Sequence, residues 1–239
     1  MSALSPEEIK RYARHIVLRG LGGDGQQKLK AARVLVVGAG GLGSPAIAYL
    51  AAAGVGTLGV IDHDIVGLSN LQRQVIHQAA SIGAPKAESA REFVSGLNSH
   101  VRFVPHIERI TAENAPRLMS GYDLVLDGTD NFGTRAVTAA AAAAAGLTLV
   151  SGAVSMFDGQ VTVFAPGGPQ FTDLYPDTPD EVDLPACEVV GVLGAVTGVI
   201  GTLMAMEAIK LITGVGEPLV GRLLLYDGRA ARFDEMQYA

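Results

Sequence analysis

The run Arg33 to Val37 (RVLVV) reads as a short buried strand, and it passes directly into Gly38-Ala39-Gly40-Gly41-Leu42-Gly43. A helical pattern follows from Ser44 to about Ala53, and Thr57 to Ile61 reads as a second buried strand ending at Asp62. A strand, a G-x-G-x-x-G turn, a helix and a second strand open a dinucleotide-binding sheet. Gly38, Gly40 and Gly43 let the backbone approach a ligand closely, and the helix N-terminus attracts phosphate. Asp62, 19 residues past Gly43, stands where a carboxylate holds ribose hydroxyls. The pattern points to an adenosine-type ligand without choosing between NAD, FAD and ATP. Without a ligand, the same residues are a tight turn.

Further along, the apolar pattern keeps alternating between helix and strand. A helix is expected from about Pro85 to Leu97, a strand near Val101 to Pro105, and another over Tyr122 to Leu126 ending at Asp127. Thr129 or Asp130 is placed to cap the Ala-rich helix that runs to about Ala145, and Leu147 to Val150 is the next strand. After Gly152 the pattern changes. Gln160 to Phe164 reads as a strand reached through a short turn, and Arg222 to Tyr226 and Ala231 to Glu235 flank Asp227-Gly228, a hairpin signal. The expected class is α/β: a Rossmann-like, mainly parallel sheet with flanking helices and a C-terminal antiparallel extension. The chain reads as one unit, with a helical arm over 1–30, a nucleotide-binding core over 31–152 and a C-terminal part over 153–239. Pro166 to Pro185, with five prolines, is a long loop between elements.

Composition narrows the function. The 239 residues, 49% hydrophobic and 18% charged, suit a globular chain with a sizeable core. A formal charge of -6 argues against a general nucleic-acid binder. The uncharged run Val189 to Met206 is long enough to span a membrane, but its Gly191, Gly194, Gly198 and Gly201 and the adjoining Glu207 and Lys210 favour a tightly packed buried helix. The lone Cys187 excludes an internal disulfide, and the polar start lacks a signal-peptide core, so a reducing, cytoplasmic setting is expected.

The choice of ligand rests on the residues past the second strand. Ser69-Asn70-Leu71-Gln72-Arg73-Gln74 is a polar run, and Lys86 comes next in Pro85-Lys86-Ala87-Glu88. Asp127-Gly128-Thr129-Asp130-Asn131 stands at a later strand end of the same sheet. Singly, Arg73 and Lys86 read as solvated charges, Asp130 as a helix cap and Asn70 as a turn former. Together they favour a phosphate and metal site: cations neutralise a triphosphate, and a carboxylate holds Mg²⁺, a hard ion that prefers oxygen. An NAD-dependent oxidoreductase would explain the glycine loop and Asp62 but give the rest no role.

The runs GAGGLGSP (Gly38 to Pro45), SNLQRQ, GAPKAES (Gly83 to Ser89) and DGTDN, with Arg11 to His15 and EAIKLITGVGEPL (Glu207 to Leu219), carry a resemblance over about Leu4 to Phe233. In this order they resemble the ThiF/MoeB/HesA family of ubiquitin-activating-like adenylyltransferases, the molybdopterin-synthase and thiamine sulfur-carrier type. That resemblance implies ATP-dependent adenylation of the C-terminal Gly carboxylate of a ubiquitin-like sulfur carrier ending in Gly-Gly. It implies nucleotide contacts at Gly38, Gly40, Gly41, Gly43, Asp62, the run Ser69, Asn70, Leu71, Gln72 and Arg73, then Lys86, Asp130 and Asn131. Arg73 and Lys86 would bind phosphates and stabilise the transition state, and Asp130 would link Mg²⁺. Arg14 would reach the other subunit's site in a homodimer; on the residues alone it is one exposed cation of an amphipathic helix. An inactive scaffold subunit of the same superfamily is the other alternative, and the retained Arg14, Asp62, Arg73, Lys86 and Asp130 argue against it.

The chain departs from the family at one site. Many relatives hold a structural zinc with two C-x-x-C pairs; the first pair falls at Gln170 and Asp173, and the second lies past the last strand, so no zinc is expected. Cys187 resembles a cysteine that can form a covalent link with the carrier in thiamine-type members; the other reading, a small apolar residue packed at a helix start, is the favoured one. The sulfur donor is expected to be a separate protein, a cysteine desulfurase or rhodanese. The sequence does not name the pathway: molybdopterin, thiamine, tRNA thiolation or another.

Overall fold

The computed structural model describes residues 3–176 and 191–238. An eight-stranded sheet runs through them in the order β3-β2-β1-β4-β5-β6-β7-β8. The strands β1 (Arg33–Val37), β2 (Thr57–Ile61), β3 (Arg102–His106), β4 (Leu124–Asp127) and the start of β5 (Thr148–Ser155) pair in parallel. From there β6 (Asp158–Phe164), β7 (Arg222–Asp227) and β8 (Arg232–Gln237) add antiparallel pairs. The expected mixed sheet is therefore found. β1 lies between β2 and β4, so the chain reverses its direction of travel across the sheet at β1. The crevice at the carboxyl ends of the strands opens at such a reversal. Residues 38, 62 and 128 are the first past β1, β2 and β4, which brings all three runs to one edge.

β1 is apolar and buried from Val34 to Val37 because both of its faces are covered there. Val34 and Val36 join Leu50 of α4 (Gly43–Ala53) and Met204 of the long helix Gly194–Thr213 in one buried layer. Leu35 and Val37 join Leu118 of α6 (Ala115–Met119) and Ala139 of α7 (Phe132–Ala144) in the other. Leu35, Val34 and Val36 are fully buried, each contributing roughly 1.5–3 kcal/mol relative to exposure. α1 (Pro6–Arg11), α2 (Ala13–Ile16) and α3 (Gly22–Ala31) form the N-terminal arm, α5 (Lys86–Leu97) precedes β3, and α8 is a single turn over Phe171–Leu174. The helix Gly194–Thr213, here α9, is long and apolar enough to cross a membrane by length and composition. In the fold, Val196, Ile200, Met204, Ala205 and Ala208 of α9 are buried in the core shared with α4 and the sheet.

Several expected boundaries move. β5 runs on to Ser155, past the expected end at Val150, because an unbroken antiparallel ladder with β6 overrides its polar residues and Gly152. The cap of α7 is Asn131, whose Oδ1 accepts from the Thr134 N–H at 2.8 Å; neither Thr129 nor Asp130 serves. The hairpin at Asp227-Gly228 forms, joining β7 to β8. Part of the expected Pro166–Pro185 loop is ordered as α8, while Cys187 and the expected helix start at Val189 lie outside the described residues.

Candidate nucleotide site

The glycine loop divides its labour. Gly38 takes φ 94° directly after β1 and packs on β4's exit, where an added Cβ would stand 3.3 Å from the Gly128 carbonyl. Gly43 lies beneath the loop, where a Cβ would overlap the Gly38 carbonyl oxygen, so its smallness serves helix–strand packing. Gly40 and Gly41 face the cavity. The same cavity is lined by Asp62, Arg73, Lys86, Asp130 and Asn131, which reach it from the ends of β2 and β4 and the start of α5. Of the other expected contacts, Gly43, Ser69, Asn70, Leu71 and Gln72 stand outside this lining. Asn70 turns its Oδ1 back onto the Gly67 N–H at 2.9 Å, which closes its own turn.

Asp62 is buried and ties the loop to β2. Its Oδ2 accepts from the Ala39 N–H at 2.7 Å and its Oδ1 from the Asp64 N–H at 2.9 Å. Each carboxylate oxygen keeps a second lone pair for a ribose hydroxyl. His77 grips the loop from below. Its Nε2 donates to the Ala39 carbonyl at 2.9 Å, which leaves Nδ1 to accept from the Ser89 hydroxyl at 2.9 Å. Burial pushes the His77 pKa down, which favours this neutral form. A chain of bonds thus links α5, through Ser89, to the loop and to Asp62.

Lys86 is the first residue of α5, and only 6% of it is exposed. Its Nζ pairs with Asp64 Oδ2 at 2.8 Å. Partial burial opposes ionisation of Asp64, but the Lys86 ammonium outweighs it and holds the carboxyl below its usual range. Arg73 spends one bond, Nη1 to the Ser69 carbonyl at 3.2 Å, and otherwise faces the cavity beside Gly41. Opposite, Asp127 at the end of β4 is fully buried; its Oδ1 accepts from the Thr129 N–H at 3.0 Å and hydroxyl at 2.7 Å. Arg135 donates Nε and Nη2 to the Thr129 carbonyl at 3.2 and 2.9 Å. These bonds fix the turn that presents Asp130, which is exposed and has no ion-pair partner among the described residues. Arg14 sits apart on α2, exposed and outside the cavity lining.

A second cavity of about 510 Å³ adjoins the first, with which it shares Asp130 and Val154. It lies over β5, β6 and β7 and is lined by Ser155, Gly159, Gln160 and Tyr226 among others. Sequence reasoning missed Asp64, His77 and Gln74 as parts of the site. Asp64 and His77 act through distant partners, Lys86 and Ala39, and only the run SNLQRQ hinted at Gln74.

A Gly-rich strand-to-helix turn, the buried Asp62 carboxylate, the cations Arg73, Lys86 and Arg109 and the exposed Asp130 thus meet at one edge of the α/β sheet. The ThiF family model matches residues 12–239, and the chain belongs to the ThiF family. It is 52% identical over 231 residues to the probable adenylyltransferase/sulfurtransferase MoeZ of Mycobacterium tuberculosis, covering 95% of this chain and 59% of that one. The sulfur carrier protein adenylyltransferase of Thermus thermophilus is 45% identical, with 96% and 87% covered. The SAMP-activating enzyme E1 of Haloferax volcanii is also 45% identical, with 99% and 87% covered. Among solved structures, Escherichia coli MccB with MccA-N7isoASN superposes with a TM-score of 0.85 at 20% identity, covering 97% of this chain and 72% of that one, a likeness of fold.

Proposed function

We propose that this chain is an adenylyltransferase that uses ATP to activate the C-terminal Gly carboxylate of a ubiquitin-like sulfur-carrier protein, giving acyl-AMP and pyrophosphate ahead of thiocarboxylate formation. The observation that carries this is the meeting of Arg73, Lys86 and Asp130 with the glycine loop and Asp62 around one cavity. Relatives that match most of this chain are named for sulfur-carrier adenylation and for activation of SAMP, which supports the same reading.

The reaction asks little of acid–base chemistry. The carrier's carboxylate is already ionised, and it attacks the α-phosphorus as pyrophosphate leaves. The obstacle is repulsion between two anions. Lys86 and Arg73 offset it through charge placed where the charge of the transition state develops. Asp62 would hold the ribose, and the loop's Gly40 and Gly41 leave room for phosphate and acyl group. Asp130 offers an oxygen ligand with no ion-pair partner among the described residues, which suits a hard divalent ion. Mg²⁺ held there through the phosphates would supply further charge neutralisation. The second cavity is the route we assign to the carrier's slender Gly-Gly tail, since it leads to Asp130.

We further propose a homodimer in which Arg14 of one protomer completes the site of the other. We expect no structural zinc at α8. Gln170 and Asp173 offer no thiolate, and the Gln170 N–H instead donates to Asp173 Oδ2 at 2.7 Å, closing the turn. An NAD-dependent reaction would leave Lys86, Arg73 and Asp130 without a task. ATP–pyrophosphate exchange with Mg²⁺, measured with and without a panel of Gly-Gly-ending carriers, tests the proposal. Exchange that depends on one carrier is the expected result. ATP binding with no exchange for any carrier would overturn it.

A further inference from the structure

Gln74 comes directly after Arg73 in the turn beyond β2, and its backbone is fixed there. Its N–H donates to the Asn70 carbonyl at 2.9 Å and its carbonyl accepts from the His77 N–H at 3.0 Å. The residue is 3% exposed, yet its side chain lines the nucleotide cavity. A Cβ added to Gly40 would stand 3.7 Å from Gln74 Nε2, so the carboxamide lies against the second glycine of the loop. Oε1 is covered and has no hydrogen-bond partner, and Nε2 meets no acceptor among the described residues.

A covered amide oxygen without a partner is destabilising, and most buried polar atoms avoid that state. An apolar side chain of the same size would fill the slot without the penalty. Oε1 stays covered in either state; what the carboxamide offers that an apolar side chain does not is Nε2 beside Gly40, which a ligand in the cavity would pair. Arg73 and Lys86 share the cavity, so the atoms they attract are anionic oxygens, which are acceptors. A carboxamide NH₂ carries two donors and no charge.

We propose that Gln74 is a nucleotide-contacting residue, its Nε2–H donating to a phosphate oxygen of ATP; this rests on the adenylation reading. Gln74→Leu and Gln74→Glu are the tests. ATP–Mg²⁺ affinity is measured by calorimetry without carrier, and thermal denaturation is followed without nucleotide. Loss of a hydrogen bond to a charged oxygen weakens affinity by roughly tenfold to a hundredfold. Gln74→Leu is expected to lose about that much affinity while its nucleotide-free Tm rises, because the orphaned amide is gone. Gln74→Glu sets an anion against the phosphates and is expected to bind more weakly still. A Gln74→Leu affinity within about twofold of wild type overturns the assignment, as does weaker binding accompanied by a falling Tm, since a structural amide predicts both together. If the leucine variant fails to fold, Gln74→Met is read by the same two signs. Wild-type protein that binds ATP but shows no exchange with any carrier sinks the adenylation reading and leaves the Gln74 contact standing. Wild-type protein that binds no ATP sinks both.

Discussion

Asp127 and Asp130, on one turn, are held in opposite states. Asp130 stands exposed at the cavity with no ion-pair partner among the described residues, while Asp127 is buried with Oδ2 unpartnered. Burial pushes the Asp127 pKa up, against the opposing pull of the Arg135 charge and the Thr129 hydrogen bonds. The folded state therefore favours protonated Asp127. It binds more protons than the unfolded chain above the ordinary value of 3.8, and stability falls as pH rises through that window. Asp127→Asn keeps the Oδ1 acceptor for Thr129 and removes the buried charge. Its Tm gain over wild type is expected to be larger at pH 8 than at pH 4; an equal gain at both would show that the carboxyl does not titrate differently in the fold. For Asp130→Ala we expect pyrophosphate exchange to drop by about a hundredfold to a thousandfold with Tm unchanged. Near-normal turnover would remove Asp130 from the phosphate and metal site. Asp130 was legible in the sequence because DGTDN ends a strand. The burial of Asp127, the grip of His77 on Ala39 and the burial of Gln74 were not, since each depends on the surroundings that the sheet brings together from distant parts of the chain.

At the scale of elements, the site depends on how closely α9 approaches α4. Gly201 makes that approach possible: a Cβ there would collide with both the Leu42 carbonyl oxygen and Pro45 Cγ. Leu42 belongs to the glycine loop, so crowding at Gly201 is felt by the cavity. Gly201→Ala is expected to lower stability by about 1–3 kcal/mol in chemical denaturation and to weaken ATP binding. Gly198 is the control, because no atom lies within 4 Å of an added Cβ. Gly198→Ala is expected to stabilise by roughly 0.5–1 kcal/mol, the ordinary helix preference. Equal effects at both positions would mean that the helix contact does not matter. The glycine stripe was visible in the sequence as a sign of close packing, but not which glycine carries the contact, because that depends on the facing helix. The strands β1 and β2 were legible for the converse reason. Both faces of β1 are covered from Val34 to Val37, so those residues are apolar whatever their neighbours. The end of β5 was hidden, because its ladder partner β6 lies across a turn and Ser151, Gly152 and Ser155 interrupt its apolar run.

For the whole molecule, the question is what completes the cavity. Arg14 projects from α2 without a side-chain partner among the described residues, and Val17 and Leu18 beside it are 75% and 55% exposed. A cation and an apolar surface left together on the arm suit a second copy of the chain. If Arg14 acts in trans, Arg14→Ala and Asp130→Ala homodimers are both inactive, yet a mixed dimer holds one intact site. That site combines Asp130 of the Arg14→Ala protomer with the arginine of its partner. Random mixing in equal amounts makes half of the dimers mixed, with one working site in two, so about a quarter of wild-type exchange activity is expected. The measurement is exchange by the two variants refolded together, compared with each alone and with the same two mixed without refolding. Recovery only after refolding requires both exchange of protomers and a shared site. If refolded mixtures show no activity while size measurements confirm mixed dimers, Arg14 serves its own protomer or none. If the protein stays monomeric at assay concentrations and is active, the cavity is complete within one chain, and Arg14 is simply a solvated cation of the arm.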